Sequence, residues 1–592
     1  MRSRIKSPAA AAVAVALTAS ALLGISAIPA GAASTPAKPN IVVIMSDDQR
    51  QDDARIMAKM NADLASVGTT FANSYVSYSL CCPSRTSFMT GQYMHNHDIT
   101  WNFWPEGGYF KFKRSTNDGG WRNSLPTWMQ NAGYRTGLIG KFLNQYGTDD
   151  PSTPADDSAA NRKEIPPGWN NWVGGIDPTT YSAYGYWLNV NGKPKQFGHC
   201  SRVDWNGAPT KDPYAGCRPT SLVADDGKSK AQLKKEKTTN PNVDGTLNDD
   251  GTVKTTGTYQ TDVLSTYAES FIKTSAAAKD KKPFFLWLTP NAPHTMTATG
   301  LGEGLPSMPP FRYKDVDFED QWLTDVANKP SFNEADISDK PAISEAISSM
   351  CDVNDPSKGS ACNWFLPMDA GSIAVQKNHF VNRRRSILGL DDMVDRVYNA
   401  VKKAGKLSNT IFVYTSDNGW LMGEHRVPAN KQFGFDESIR VPLIISGPGF
   451  SSTGGRTVNT TAMNVDLAPT ILKAAGGTAG RAMDGIPLQN TITSPSTYAN
   501  RTVAIETGPN PRVPYYSGIH NDRWHLEKIV QWGNLPTRYE LYDLSKDPYE
   551  LDAKQNDPKY ASVLETLKAQ LEALRTCKGR ACDDFGNIPA SP

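Results

Sequence analysis

Little in the composition of this sequence assigns it to a special class of protein. Its 592 residues carry 62 Lys and Arg against 60 Asp and Glu, and they form no basic stripe of the kind that nucleic-acid-binding proteins use. There is no internal repeat, and beyond the N-terminal stretch no apolar run is long enough to span a membrane. Eight cysteines are too few for a small disulfide scaffold. These absences exclude a nucleic-acid partner, a fibrous protein and a polytopic membrane protein, and the 39% of hydrophobic residues suffices for a large core.

The N-terminal stretch is the one long apolar segment. Three basic residues within the first six precede apolar and small residues over 9–28, and Ala30-Gly31-Ala32 then offers a small-residue cleavage site. This order predicts a secretory signal peptide over residues 1–33. An uncleaved anchor helix is the alternative. We expect a secreted, extracellular protein that has no stable association with a membrane.

The cysteines fit an oxidising compartment. Six of them form pairs that are close in sequence and lie in loop-like segments. We expect three local disulfides: Cys200–Cys217, Cys351–Cys362 and Cys577–Cys582. The remaining two, Cys81 and Cys82, are adjacent and would pair only with strain, so they need another explanation. A structural zinc site is not expected, because the sequence has no C-x-x-C pair.

Apolar, β-branched runs recur along the chain and predict strands that are buried on both faces. The strand-like runs lie at 40–46, 283–289, 410–416 and 441–447, and the helix-like segments at 124–133, 259–279 and 390–405. Strands that alternate with helices predict an α/β fold with a large, mostly parallel mixed sheet sandwiched by helices. The polar segments 149–167 and 200–257 are predicted to be surface excursions.

The pattern changes after a Ser/Thr/Pro-containing break at 491–502. The later elements are strand-like pieces at 503–506, 524–531 and 539–544 and a helix over 558–575. They predict a smaller C-terminal antiparallel sheet with one packed helix. We therefore expect a catalytic domain over 34–500 and a C-terminal subdomain over 501–592.

The strongest local signal is the run C-C-P-S-R at 81–85, which Thr90-Gly91 follows. Of its two cysteines, Cys81 alone has a proline two residues on and an arginine four residues on. This spacing matches the sulfatase signature, in which that cysteine is oxidised after synthesis to formylglycine. Pro83 and its neighbour Ser84 predict a helix start, with the helix over 85–94 and its N-terminal N–H groups directed at an incoming anion. Two structural core cysteines ahead of a helix are the alternative.

The conversion makes chemical sense for the cleavage of a sulfate ester. A hydrated aldehyde is a gem-diol, so one hydroxyl attacks sulfur while the alcohol leaves. The second hydroxyl then loses its proton, which expels sulfate and regenerates the aldehyde. A serine at position 81 could attack, but it has no second hydroxyl with which to expel the sulfate.

Acidic residues follow two of the predicted buried strands. Asp47 and Asp48 end the first strand, and Asp417 and Asn418 end the strand at 410–416. The carboxyl ends of strands face the ligand crevice of an α/β sheet. Each pair alone would also suit a turn or a helix cap. Together they predict an oxygen-only cation site that suits Ca²⁺ or Mg²⁺ better than zinc, and whose ion would clamp a sulfate oxygen.

Cationic residues also follow strand ends. They are Lys141, His294 and Lys431, and Arg85 of the motif joins them. A divalent ion and the three basic side chains, with His294 neutral, carry more positive charge than the three aspartates carry negative charge. The net charge of the predicted pocket is then +2. Such a pocket suits an anionic sulfate ester. His294 or Lys431 could protonate the departing alkoxide.

Several stretches carry a resemblance to a known family. They lie at 40–49, 80–97, 133–147, 330–341, 414–419 and 540–548. On these motifs the chain resembles formylglycine-dependent sulfatases of the alkaline phosphatase superfamily, and among them the N-acetylglucosamine-6-sulfatase and heparan endosulfatase branch. The double cysteine, the His95-Asn96-His97 run and the FNEADISDKP stretch resemble that branch in particular. The resemblance spans residues 39–551 and implies an alkaline phosphatase-like fold.

The resemblance also implies a site and its partners. The implied Ca²⁺ ligands, with Mg²⁺ as the second choice of ion, are Asp47, Asp48, Asp417, Asn418 and the modified Cys81. The implied sulfate-binding and acid/base residues are Arg85, Lys141, His294 and Lys431. A formylglycine-generating maturation enzyme is the implied partner. One position departs from the family, because Leu143 stands where many sulfatases have a histidine that contacts the aldehyde hydrate; His425 is a candidate for that role or a supporting residue.

Hydrolysis of a sulfate ester, on a sugar such as N-acetylglucosamine-6-sulfate or on an aryl group, is the leading hypothesis. One alternative is a phosphodiesterase or phosphonate monoester hydrolase on the same fold. Another is a non-catalytic, calcium-dependent binder of sulfated glycans in which Cys81 stays unmodified. The complete set of acids, base and cations argues against the binder.

Overall fold

A mixed sheet of ten strands lies at the centre of the part of the chain that the structure describes. The structure is a computed structural model that describes residues 37–153, 157–197, 259–296, 306–343, 365–508, 515–530, 537–584, 586 and 588–592. In chain order the strands are β1 (Asn40–Ser46), β2 (Thr69–Phe71), β3 (Arg135–Gly140), β4 (Asn171–Gly175), β5 (Tyr186–Val190), β6 (Lys193–Phe197), β7 (Phe284–Thr289), β8 (Thr410–Ser416), β9 (Leu443–Ser446) and β10 (Arg456–Val458). Their order in space is β10-β2-β9-β8-β1-β7-β3-β4-β5-β6.

The central strands of this sheet run parallel. β1 pairs in parallel with β7 and β8, and β3 pairs in parallel with β7 and β4. β9 is antiparallel to β8, and β5 and β6 extend the other side as antiparallel strands. The predicted α/β fold with a mostly parallel mixed sheet is confirmed.

Helices cover both faces of the sheet, as predicted. Helices with both ends described are α1 (Ala58–Asp63), α2 (Cys81–Thr90), α3 (Met94–His97), α4 (Gly108–Arg114), α5 (Leu125–Asn131), α6 (Ser158–Asn161), α7 (Gln260–Ala277), α8 (Glu319–Trp322), α9 (Ala370–Lys403), α10 (Asp436–Ile439), α11 (Leu467–Ala475), α12 (Gln489–Thr493) and α13 (Ala561–Leu574). Alternate residues of β1 point to opposite faces. Ile41 and Val43 join the core beneath α2, α5 and α11, whereas Val42 and Ile44 join the core beneath α1, α7 and α9.

Two helix predictions missed their boundaries for identifiable reasons. The helix predicted over 85–94 begins at Cys81 and ends at Thr90, with Gly91 in the left-handed conformation at φ 68°. Pro83 therefore lies inside the first turn, where its missing N–H costs no hydrogen bond. The helix predicted over 390–405 begins at Ala370 instead. Its first half escaped the hydrophobic pattern because buried positions there are polar, among them Arg383 and Arg384.

A second, smaller sheet follows in the sequence. Its strands are β11 (Val503–Glu506), β12 (Tyr515–His520), β13 (Trp524–Val530) and β14 (Arg538–Asp543), all antiparallel and in that order. α13 packs on it, as predicted, and β12 is the strand that the sequence pattern did not indicate. Cys577 and Cys582 are joined by a disulfide, the pairing expected from their spacing. The expected Cys200–Cys217 and Cys351–Cys362 pairs, the segment 200–257 and the signal peptide lie outside the described residues.

No helix in the described ranges combines the length and the apolar composition that crossing a membrane requires. The domain boundary at residues 500 and 501 remains a prediction.

A buried ion triad, two of whose members lie on β13 of the small sheet, should make stability depend on pH. His525 Nδ1 lies 2.5 Å from Glu550 Oε1, and His525 Nε2 lies 3.2 Å from Glu527 Oε1. Burial alone would lower the pKa of His525, but the two glutamates raise it to about 10. Because this folded-state pKa is above the unfolded value of about 6.5, the stabilisation is complete below pH 6.5 and is lost as the pH rises through about 10.

We therefore expect His525→Gln to lower the free energy of unfolding by about 3 kcal/mol at pH 6, since two buried carboxylates lose their counter-ion. The deficit should shrink between pH 6 and pH 10 in urea unfolding experiments. His520→Gln is the matched control, because His520 is a buried histidine of the same sheet whose pKa is lowered to about 3 and which stays neutral throughout. A His525→Gln deficit that is the same at every pH would contradict the triad.

Candidate active site

The carboxyl ends of β1 and β8 lie side by side in the middle of the large sheet. Ser46 is paired with Ser416 in the parallel register, so the residues that follow the two strands meet. The backbone N–H of Asp48 donates to Asp417 Oδ1 at 3.1 Å, and Asn418 Nδ2 donates to Asp48 Oδ1 at 2.6 Å. The two acidic pairs, all of whose side chains are buried, thus form one cluster.

Cys81 faces this cluster from the first residue of α2. Its Sγ lies 3.7 Å from Asp47 Oδ1 and 2.9 Å from Lys431 Nζ. Burial raises the pKa of its thiol to about 11, although the nearby Lys141 and Lys431 oppose the shift. As an ordinary thiol, Cys81 would be protonated at neutral pH and a poor nucleophile.

Cys82 has a different environment. It is free and fully buried, and it belongs to the apolar core beneath α2. Its backbone N–H donates to Asn102 Oδ1 at 2.9 Å. Of the two adjacent cysteines, Cys81 alone contacts the charged cluster.

Two cations line the inner wall of the pocket. Arg85, one turn along α2 from Cys81, donates from Nε to Asp417 Oδ2 at 2.8 Å and from Nη1 to the Lys141 carbonyl at 2.9 Å. Lys141 follows β3, and its Nζ lies 2.6 Å from Asp47 Oδ2. Burial opposes the charged forms, but the aspartates raise the pKa of both residues above their usual values. Both side chains therefore stay cationic.

Lys431 and His294 form the outer wall. Lys431 Nζ contacts Asp48 Oδ1, and His294 Nε2 lies 3.4 Å from Asp48 Oδ2. Their side chains are 8% and 10% exposed, whereas those of Arg85 and Lys141 are at most 1% exposed. Burial lowers the pKa of His294 despite the attraction of Asp48 and Asp47. These two side chains are accordingly the site groups that a departing alcohol would meet.

The donor set fits a divalent cation. Asp47, Asp48, Cys81 and His294 place ligand atoms within 4.8 Å of one another. Asp48 Oδ2 and Asn418 Oδ1 are buried and have no hydrogen-bond partner. A buried oxygen without a partner is costly, and a cation would satisfy both. Oxygen ligands suit a hard ion of the Ca²⁺ or Mg²⁺ type.

Two residues beside the site gave no signal in the sequence. The Tyr181 ring lies 4.9 Å from the His294 ring and 4.7 Å from Lys141 Nζ, and its hydroxyl accepts a hydrogen bond from Asn144. Arg383 of α9 donates to the carbonyl of Asp48 and to that of Pro293, which precedes His294. Neither stands in a motif, and only the folded chain brings them to the pocket.

The position of the missing family histidine is apolar in the structure. Leu143 is buried in the core beneath α2 and takes no part in the charged cluster. His425 Nδ1 lies 2.7 Å from Glu334 Oε2, and its ring stacks on Phe435 at 3.9 Å. The described contacts of His425 thus lie with residues outside the charged cluster, and Glu334 belongs to the FNEADISDKP stretch.

Two family models match this chain. The family model described as Sulfatase matches residues 39–477. A second model, described as N-sulphoglucosamine sulphohydrolase, C-terminal, matches residues 423–577. The first match alone spans more than half of the chain and includes the whole charged cluster.

Curated relatives are also named as sulfatases. An arylsulfatase of Volvox carteri is 29% identical over 95% of this chain and 78% of its own length. An N-acetylglucosamine-6-sulfatase of Homo sapiens is 25% identical over 93% of this chain and 87% of its own length.

Solved structures share the fold. A chain solved in complex with its substrate D-glucosamine-2-N,6-O-disulfate superposes with a TM-score of 0.56 at 20% identity, over 90% of this chain and 97% of its own. The phosphonate monoester hydrolase of Agrobacterium radiobacter superposes with a TM-score of 0.57 at 18% identity, over 91% of this chain and 95% of its own. At these identities the likeness concerns the fold alone.

Proposed function

Since this chain belongs to the sulfatase family and is a sulfuric ester hydrolase, we propose that it removes sulfate from a sugar or aryl ester by means of Cys81 converted to formylglycine. The position of Cys81 carries the proposal, because it begins α2 and faces both the acidic cluster and Lys431. When Cys81 is so converted, its hydrated aldehyde supplies one hydroxyl that attacks sulfur and a second that later releases sulfate.

The remaining residues bind charge and orient the ester. Arg85, Lys141 and Lys431 surround the Cys81 side chain, where three fixed cations suit the oxygens of a sulfate group. Asp47, Asp48, Asp417 and Asn418 would hold the metal ion, which we propose is Ca²⁺. The buried walls exclude water, so these charges act at a low local dielectric.

His294 and Lys431 are the proposed proton donors to the departing alkoxide. Both stand at the solvent-facing side of the pocket, where the organic part of the ester must emerge. Tyr181 packs against His294 and would hold its imidazole in place.

We expect His294→Ala to lower kcat for a sugar sulfate by about a hundredfold to a thousandfold, the usual contribution of a positioned acid or base. An aryl sulfate with a good leaving group should lose less, because it needs little protonation. Steady-state kinetics on both esters checks this prediction. Equal losses on the two esters would argue that His294 acts on binding rather than on the leaving group.

A direct test of the proposed function measures ester hydrolysis and the mass of the peptide that contains Cys81. The protein, produced together with a formylglycine-generating enzyme, should release sulfate from 4-nitrophenyl sulfate and from N-acetylglucosamine-6-sulfate. Faster hydrolysis of an aryl phosphate diester would favour the phosphodiesterase alternative. A phosphonate monoester hydrolase shares the fold of this chain. Mass analysis of the peptide that contains Cys81 should find the aldehyde rather than the heavier thiol, whereas an unmodified thiol with no turnover would favour the glycan binder.

We also propose that the protein is exported. The signal-like residues 1–33 and the disulfide between Cys577 and Cys582 support an oxidising, extracellular location. N-terminal sequencing of protein from the culture medium should begin after residue 32 or 33, and a retained leader on cell-bound protein would contradict it.

A further inference from the structure

A loop of aromatic residues is attached directly to the residue that follows Cys81. We call residues 100–107 the aromatic loop; it contains Trp101, Phe103 and Trp104. Asn102 Oδ1 of this loop accepts the hydrogen bond from the backbone N–H of Cys82 at 2.9 Å. Trp101 packs against the small cluster that contains Leu80, the residue before Cys81. The aromatic loop therefore contacts one chain neighbour of the proposed nucleophile and packs against the cluster that contains the other.

The other side of the aromatic loop is attached to the segment that carries Lys141. The backbone N–H of Trp104 donates to Gln145 Oε1 at 2.8 Å, and Gln145 lies four residues beyond Lys141. The loop thus lies between the N-terminus of α2 and the segment after β3. These are the two elements that supply Cys81, Arg85 and Lys141 to the sulfate pocket.

The backbone of the aromatic loop is fixed. Gly107 N–H donates to the Phe103 carbonyl at 2.8 Å, and Trp101 forms a bridge with Gly107. A Cβ atom at Gly107 would lie 1.6 Å from the Trp101 carbonyl oxygen, so only glycine allows this close approach. Phe103 is consequently presented by a closed, hydrogen-bonded loop and not by a free chain end.

Phe103 is the exposed member of the loop. Its side chain is 49% exposed, whereas Trp101 and Trp104 are partly buried and the guanidinium of Arg114 covers the Trp104 ring at 5.1 Å. Among the described residues, Phe103 makes no ring–ring or cation–π contact. Through Asn102 its Cα lies within roughly 10 Å of the Cys82 nitrogen, given about 3.8 Å between consecutive Cα atoms. A phenyl group with this exposure, on a loop attached to the residue after Cys81, is available for contact with a bound substrate.

We propose that Phe103 stacks against the ring of the sulfate ester, the sugar or aryl group that carries the sulfate. The inference rests on the proposed function and extends it to the organic part of the substrate. The cations of the pocket are used by the sulfate group, so the ring must lie outside them, towards the solvent-facing side. A phenyl face matches the apolar face of a pyranose or the face of an aryl group.

Phe103→Ala tests the inference. For 4-nitrophenyl sulfate and for N-acetylglucosamine-6-sulfate, we expect KM to rise on the order of tenfold, the loss expected for one stacking contact together with the apolar area it buries. The inhibition constant of inorganic sulfate should stay unchanged, since that anion has no ring. Phe103→Trp should restore KM, and Phe103→Leu should give an intermediate value.

Val67→Ala is the matched control. Val67 is also an exposed apolar residue, 43% exposed, but it precedes β2 and lies at the opposite edge of the sheet from the site. Its KM values should equal those of the wild type. An unchanged KM in Phe103→Ala, or an inhibition constant for sulfate that rises in parallel with KM, overturns the inference while the proposed function stands. A wild-type protein that releases no sulfate from either ester overturns the proposed function itself.

Discussion

The Cys81→Ser variant is expected to lose sulfate-ester turnover by at least about a thousandfold while it keeps its fold. A serine in this pocket could attack the ester, but its single oxygen would remain sulfated, since no second hydroxyl expels the sulfate. The expected signature is therefore at most one turnover per chain and a peptide spanning the substituted position that is heavier by one sulfo group, SO3. Burst kinetics and peptide mass analysis measure the two quantities.

The neighbouring cysteine provides the control. Cys82→Ala removes a buried thiol from the apolar core and should cost stability of about 1 kcal/mol, with turnover preserved because Cys82 faces away from the charged cluster. Thermal unfolding should show that Cys81→Ser remains folded, as the exchange alters one atom. Near-full turnover in Cys81→Ser, or loss of turnover in Cys82→Ala alone, would show that Cys81 is not the nucleophile.

The Asp417→Ala variant is expected to lose bound metal and activity together. Asp417 follows β8, and one of its oxygens already accepts from the backbone of Asp48 while the other accepts from Arg85. Truncation removes a proposed ligand and leaves the buried Arg85 with a single carboxylate partner, Asp47, at 3.3 Å. Metal analysis of the purified protein should give about one Ca²⁺ per wild-type chain and close to none in the variant, with kcat/KM reduced at least about a thousandfold.

Loss of the fold must be separated from loss of the ion, because breaking a buried ion pair costs about 3–5 kcal/mol. Asp417→Asn keeps the volume and should also lose the ion while remaining folded. In the wild type, added Ca²⁺ should raise the unfolding temperature, and in both variants it should not. Asp391→Asn is the control, since Asp391 is another buried aspartate that instead accepts from Lys59 and Met60 backbone groups. Calcium content equal to the wild type in Asp417→Asn would remove Asp417 from the ligand set.

Most of the architecture could be predicted because each central strand is buried on both faces. Such strands must be continuously apolar, and β1 and β8 were predicted with their observed ends. The strand predicted at 441–447 became the shorter, antiparallel β9, since direction depends on connections and not on composition. α9 extended twenty residues beyond its predicted start because some of its buried positions are arginines that pair with carboxylates, such as Arg384 with Asp53.

The candidate site, like the fold, was predicted from the sequence only in part. The order of residues by itself determined the nucleophile candidate, the acidic pairs and the cations, because each follows a strand or begins a helix and local chemistry marks it. Only the tertiary structure decided that Leu143 lies in an apolar core, that Tyr181 and Arg383 contact the site, and that Phe103 is exposed on a loop attached to Cys82. These facts depend on contacts between residues up to several hundred positions apart, and no local pattern along the chain encodes such contacts. Parallel strand register, here Ser46 beside Ser416, is what converts a list of strand ends into one pocket.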